Sequence, residues 1–167
     1  EIANIVQREV FDYLDSPVIK VNSADVPMPY SSYLENIYLP QTEDIANKRI
    51  ENAAYYDSFL STVSGIQIPP RPLDFRIVYH LYIVFAEQRD RLLNYCIDNG
   101  IEAKVHYPTP IYRQPALASL GYKEGDFPVT DEHAKKIITF PCDQHLSRNE
   151  LDHVISTVKK FYEDHAV

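Results

Sequence analysis

Apolar residues at the start of the chain recur at helical spacing. Ile2, Ile5, Val6, Val10, Tyr13 and Leu14 predict an amphipathic helix, which Asp15-Ser16-Pro17 stops because proline cannot continue it. Val18-Ile19-Lys20-Val21 is a short β-rich run and predicts a buried strand. Asp25 to Tyr30 holds Pro27 and Pro29 and predicts a stiff, extended loop. A second helix is expected from Thr42 to about Ser64, with Glu43 and Asp44 at the positive end of its dipole. Ile45, Ile50, Ala53, Ala54, Phe59, Leu60 and Val63 supply its apolar side chains, and Gly65 can cap it.

Gly65 to Pro72 reads as a strand-like stub followed by a rigid proline linker. Val78 to Phe85, apolar on both faces, predicts a central strand. Glu87 to Asn99 predicts a helix with Leu92, Leu93, Cys96 and Ile97 facing inward and Gly100 at its stop. Ile101 to Tyr107 alternates: Ile101, Ala103, Val105 and Tyr107 on one face, Glu102, Lys104 and His106 on the other, as a half-buried strand does. After a loop rich in Pro and Tyr, Thr130 to about Lys136 predicts a helix and Ile137 to Phe140 a strand ended by Pro141. Ser147-x-x-Glu150 is a capping box, opening a helix whose stripe is Leu151, Val154, Ile155, Val158 and Phe161. From Val78 onward the order is strand, helix, strand, helix, strand, helix. The expected fold is α/β (α+β), a small three-stranded sheet covered by helices, with an N-terminal helix-strand-helix extension. The first ~45 residues are too few to hold a core alone.

Composition narrows the function. Sixteen Lys+Arg against 24 Asp+Glu in 167 residues give a net charge of −8, and no basic stripe offsets it. With a pI of about 5.2, a nucleic-acid partner is not expected. No stretch approaches the ~18 apolar residues of a membrane span, so no membrane partner is expected. Two cysteines, Cys96 and Cys142, make no disulfide framework, and a reduced, cytoplasmic setting is the expectation. Met28 is the sole methionine, so Glu1 does not read as a natural start.

The chemistry-bearing residues exclude several classes. None of the six histidines pairs at the H-x-x-x-H or H-E-x-x-H spacing that puts two imidazoles on one helical face, so no metal ligands are assigned. His133 and His145 flank a strand; His153 and His165 lie on the closing helix and are expected in solvent. Gly-x-Ser-x-Gly is absent, and four glycines cannot build a Gly-rich phosphate loop. The best candidate is Lys104 to Pro115, KVHYPTPIYRQP, which gathers an imidazole, two phenols, a guanidinium and an amide between stiffening prolines. Such a loop suits a polyhydroxylated or anionic ligand. The same residues also fit a surface connection with its tyrosines packed beneath and His106 merely solvated.

Residues from about Asn47 onward resemble the C-terminal small domain of the DegT/DnrJ/StrS sugar aminotransferases. The matching stretches are RIENAAYYDSFL, VYHLYIVF, RDRLLNYCIDNGIEAKVHYPTPIYRQPAL and LGYKEGDFPVTDEHAKKIITFPC, with the closing helix. That family works as a dimer, uses pyridoxal phosphate and aminates keto sugars carried on nucleotides. The resemblance implies substrate-binding roles for His106, Tyr107 and Arg113 in a complete enzyme; position 112, often His in the family, is Tyr here. Residues 1 to about 45 resemble instead the transketolase-like C-terminal end of a pyruvate dehydrogenase-type, thiamine diphosphate beta subunit, through EVFDYLDSPVIKV, NSADVPMPYSSYLE and LPQTEDI.

The resemblance thus implies two parts, 1–45 and 46–167. In the aminotransferase family the Schiff-base lysine and phosphate cup lie in a large N-terminal domain that these residues do not match. The chain alone is therefore expected to hold no cofactor and to be catalytically inactive, although pyridoxal phosphate serves the full-length family. Homo-oligomerisation and a nucleotide-sugar ligand are the implied partnerships. The alternative is a non-catalytic interaction module, derived from a fusion of two enzyme C-termini.

Overall fold

The computed structural model describes residues 42–165, and by contact the chain divides into units Glu1–Ile45 and Ala46–Val167. The helix, strand and proline loop expected before Thr42 lie outside the described residues.

Helix α1 spans Thr42–Leu60, with Glu43 and Asp44 in its first turn. Three strands follow the chain as β1 (Ile66–Gln67), β2 (Tyr82–Ala86) and β3 (Ile137–Phe140). They form one antiparallel sheet in the order β1-β2-β3, with Ile66 opposite Ala86, Phe85 opposite both Gln67 and Ile137, and Tyr82 opposite Phe140. Helices α2 (Arg89–Asp98), α3 (Pro128–Lys136) and α4 (Arg148–Asp164) complete the fold. The expected three-stranded sheet with helices is present, but its membership differs from the one read along the sequence.

Alternation explains how the sheet is covered. Tyr82, Val84 and Ala86 on β2, with Ile138 and Phe140 on β3, are buried in one cluster with Tyr56 and Leu60 of α1. Leu92 and Cys96 of α2 and Leu151, Val154, Val158 and Phe161 of α4 join the same core. Side chains on a strand point alternately to opposite faces, so Ile83, Phe85 and Ile137 turn to the other side, where they are only half-buried. One face of the sheet carries α1, α2 and α4; the second, where His133 of α3 stacks on Phe85, is partly open.

Two strands depart from the sequence reading. The run from Val78 becomes a strand only at Tyr82, because Tyr79 has φ +50° and the carbonyls of Tyr79 and His80 both accept from Arg49 at 3.3 Å instead of joining a ladder. Ile101 to Tyr107 is not a strand but an extended segment with a single bridge, Lys104 to Thr139. There the amide of Ala103 turns back to the carbonyl of Ile101 at 2.8 Å, and the prolines that follow remove ladder donors. Its alternation holds for Ile101 and Ala103, which are buried, but Tyr107 is 65% exposed. Ile97, expected inward on α2, is 54% exposed.

Candidate functional site

The open side of the sheet leads to a cleft of about 440 Å³. One wall is the loop that follows Lys104: Tyr107, Thr109, Pro110, Ile111 and Gln114. The other is α3, which presents Thr130, His133 and Ala134, and the cleft ends on Ile137 of β3. Positions 130, 133, 134 and 137 are spaced i, i+3, i+4, i+7, the repeat that lines one face of a helix. Pro128 opens α3, where its missing N–H is no loss, and α3 runs directly into β3.

The prolines and two 3₁₀ turns, Ile111–Arg113 and Pro115–Leu120, give the loop its shape. Within it the side-chain Nε2 of Gln114 donates to the carbonyl of Thr109 at 3.4 Å, and the His106–Tyr107 peptide bond is cis. His106 Nδ1 lies 3.1 Å from Thr139 Oγ1 on β3, and its ring meets Tyr107 edge-on at 5.5 Å. His133 stacks on Phe85 with centroids 4.5 Å apart. The cleft therefore combines an apolar floor with a phenol, a hydroxyl pair, an amide and an imidazole, a composition suited to a polar ligand with a flat or hydroxylated body.

Of the three residues assigned from sequence, Tyr107 lines the cleft and His106 sits beside it, anchored to the sheet. Arg113 points elsewhere: its guanidinium pairs with Glu124 at 3.5 Å, which also faces Lys135 at 3.9 Å. The sequence alone places His133 only as a residue flanking a strand. The helical spacing of Thr130, His133 and Ala134 was the signal for it, but no periodicity states which face of α3 meets a cavity. Tyr112 is buried, its hydroxyl donating to Asp131. Burial, and then that hydrogen bond, push the Tyr112 phenol up to about 12. The donated bonds from Tyr112 and the Gly125 amide hold the Asp131 carboxyl below its ordinary value.

On α4, His153 is exposed as expected, with its Nε2 2.9 Å from the carbonyl of Asn99, whereas His165, just past the helix, stacks on Phe161 at 4.8 Å and is half-buried. Among the described residues no three His, Cys, Asp or Glu side chains converge as metal ligands, and no helix is long and apolar enough to cross a membrane.

Residues 32–159 match the model of the DegT/DnrJ/EryC1/StrS aminotransferase family. The chain is 36% identical over 123 residues to the erythromycin biosynthesis sensory transduction protein EryC1 of Saccharopolyspora erythraea, covering 74% of this chain and 34% of that protein. It is 32% identical over 127 residues to the dTDP-3-amino-3,4,6-trideoxy-alpha-D-glucose transaminase of Streptomyces venezuelae, covering 76% and 34%. The crystal structure of S. venezuelae DesV, in complex with a ketimine intermediate, superposes with a TM-score of 0.71 at 32% identity, over 78% of this chain and 35% of that one. Over an alignment of 51 residues the chain is also 55% identical to the mitochondrial pyruvate dehydrogenase E1 beta-1 subunit of Arabidopsis thaliana, 29% of this chain and 14% of that protein.

The pyridoxal phosphate of the family needs a lysine for its imine and donors for its phosphate. Among the described residues no lysine lines the cleft: Lys104 pairs with Glu102 at 2.8 Å, and Lys136 with Glu87 at 3.0 Å and Glu132 at 3.3 Å. The described residues alone do not fit that cofactor. The chain spans about a third of the length of the aminotransferases it matches, and over that span it belongs to the DegT/DnrJ/EryC1/StrS aminotransferase family.

Proposed function

We propose that this chain supplies the substrate-side wall of a pyridoxal phosphate-dependent nucleotide-sugar aminotransferase, and that it does not transaminate alone. The observation that carries the reading is the cleft of a family member lined by Tyr107, Thr109, Gln114 and His133, with no lysine among its lining residues. Hydroxyl, amide and imidazole groups on two facing walls can orient a hydroxylated sugar, while Ile111 and the Phe85–His133 stack give its apolar edge a surface. His106, assigned to substrate binding from the sequence, is not among the cleft's lining residues; its part in this reading is to support Tyr107, which its ring meets edge-on while Thr139 holds its Nδ1. Arg113, paired with Glu124, reaches substrate only if that pair opens. The dTDP-sugar named for the S. venezuelae relative suggests the substrate class. The two cysteines are free and buried, in keeping with a cytoplasmic, reducing setting.

The test is a chimera in which residues 46–167 replace the matching third of the S. venezuelae transaminase. It is expected to aminate that enzyme's keto-sugar substrate, and to lose at least tenfold in kcat/KM on Tyr107→Ala. Full activity in the Tyr107→Ala chimera, or turnover by the isolated chain with pyridoxal phosphate and an amino donor, contradicts the reading.

A second reading, self-association as an interaction module, is favoured by exposed apolar side chains: Leu73, fully exposed, with Phe75 at 71% and Ile111 at 76%. Sedimentation equilibrium decides it. A dimer insensitive to pyridoxal phosphate supports this reading, and a monomer removes it.

A further inference from the structure

Behind the cleft lies a polar contact that ligand contacts alone do not explain. Asp131 sits in the first turn of α3, between Thr130 and His133, two residues of the helical wall. Its Oδ1 accepts from the hydroxyl of Tyr112, and its Oδ2 accepts from the Gly125 amide at 2.9 Å. Tyr112 belongs to the turn Ile111–Arg113 and is flanked by Ile111 and, two residues on, Gln114, both in the loop wall. One carboxylate thus joins the two walls. It is 7% exposed, and the Tyr112 ring beside it packs on Phe127 at 4.8 Å and faces Tyr122 at 6.5 Å. The charges around it are Arg113 and Glu124 from the loop and Glu132 and Lys135 from α3 itself, with Glu124 engaged by Arg113 and Lys135.

We propose that Asp131 is a positioning residue: its carboxylate clasps the loop wall to the helical wall and sets the width of the cleft that receives the ligand. As far as the ligand is concerned, this rests on the nucleotide-sugar reading above; the clasp itself does not. Glu124 also links the turn to α3, through Arg113 at 3.5 Å and Lys135 at 3.9 Å, but those ion pairs are exposed, whereas the Tyr112–Asp131 bond is buried.

The test uses the full chain, isotope-labelled, with dTDP-glucose as probe and three variants: D131N, Y112F and the double. The backbone amides of Ile111 and Gln114 are expected to shift in both single variants with the same pattern, and the double variant to add nothing further. Affinity for dTDP-glucose falls about tenfold in each single variant and no further in the double. Lowered thermal stability with unchanged Ile111 and Gln114 amides and unchanged affinity overturns the proposal, since that is a structural bond only. If D131N does not fold, Y112F makes the same comparison. If wild-type chain does not bind dTDP-glucose while the two variants still move the loop amides together, the clasp stands and the nucleotide-sugar reading falls.

Discussion

Asp131 has a second consequence, at the scale of single groups. Its folded pKa is lowered, so its contribution is present above the unfolded carboxyl value near ~4 and is lost as pH falls through the lower folded value. Glu150, held low by the Ser147 hydroxyl and amide, acts with the same sign in the same acid window. Denaturant unfolding of wild type and Asp131→Asn should therefore differ most at neutral pH and converge as pH falls through the lowered folded value. A gap that widens in acid would contradict this. The thiols give a separate check. Burial pushes both Cys96 and Cys142 up to about 12, so at neutral pH both are protonated and shielded. A thiol reagent at pH 7.5 should label neither in the native chain and both in denaturant. Rapid native labelling would show that α2 or the segment after β3 opens readily. Sequence spacing placed Cys96 in the core correctly, whereas nothing local to Asp131 announced a partner 19 residues back in the chain.

At the scale of elements, signals confined to one turn were legible. The capping box is formed: the Glu150 amide donates to Ser147 Oγ at 3.3 Å, and the Ser147 amide donates to the Glu150 carboxylate at 2.8 Å. Ser147→Ala should cost about 1 kcal/mol of stability, read from the shift in denaturation midpoint. The stripe of α4 is buried as its spacing predicts, and Leu92 of α2 is fully buried beside it. Leu92→Ala should cost about 2–5 kcal/mol, through lost transfer energy and a residual cavity. Gly65 does not cap α1, which ends at Leu60; it stands at φ +89°, and a Cβ there would run into the Tyr162 ring. That ring is itself fixed, its hydroxyl donating to the Glu87 carbonyl at 2.7 Å. Gly65→Ala should therefore destabilise by more than the ~1 kcal/mol typical of a positive-φ position alone. The strand boundaries were not legible, for a physical reason. Whether Val78 or Ile101 begins a ladder depends on where carbonyls find donors, and Arg49, 30 residues away from Tyr79, takes one set of them.

On the scale of the whole molecule, the described residues make a sheet packed by α1, α2 and α4 on one face and partly open on the other, where α3 walls the cleft. The sequence carried the fold class and the family resemblance, because core periodicity and motif strings are properties of consecutive residues. It also marked the loop from Lys104 to Pro115 as the candidate site, and five of the nine cleft residues come from it. The remaining four come from α3 and β3, and only the tertiary fold brings them opposite that loop.

The central claim is that this cleft holds a nucleotide sugar. The most direct measurement is an amide-shift titration of the labelled full chain with dTDP-glucose. Saturable shifts at Tyr107, Thr109, Gln114 and His133, sharing one dissociation constant, are the predicted result. No saturable shift at those residues, or shifts confined to the helix-covered side around Leu92 and Val158, would contradict it.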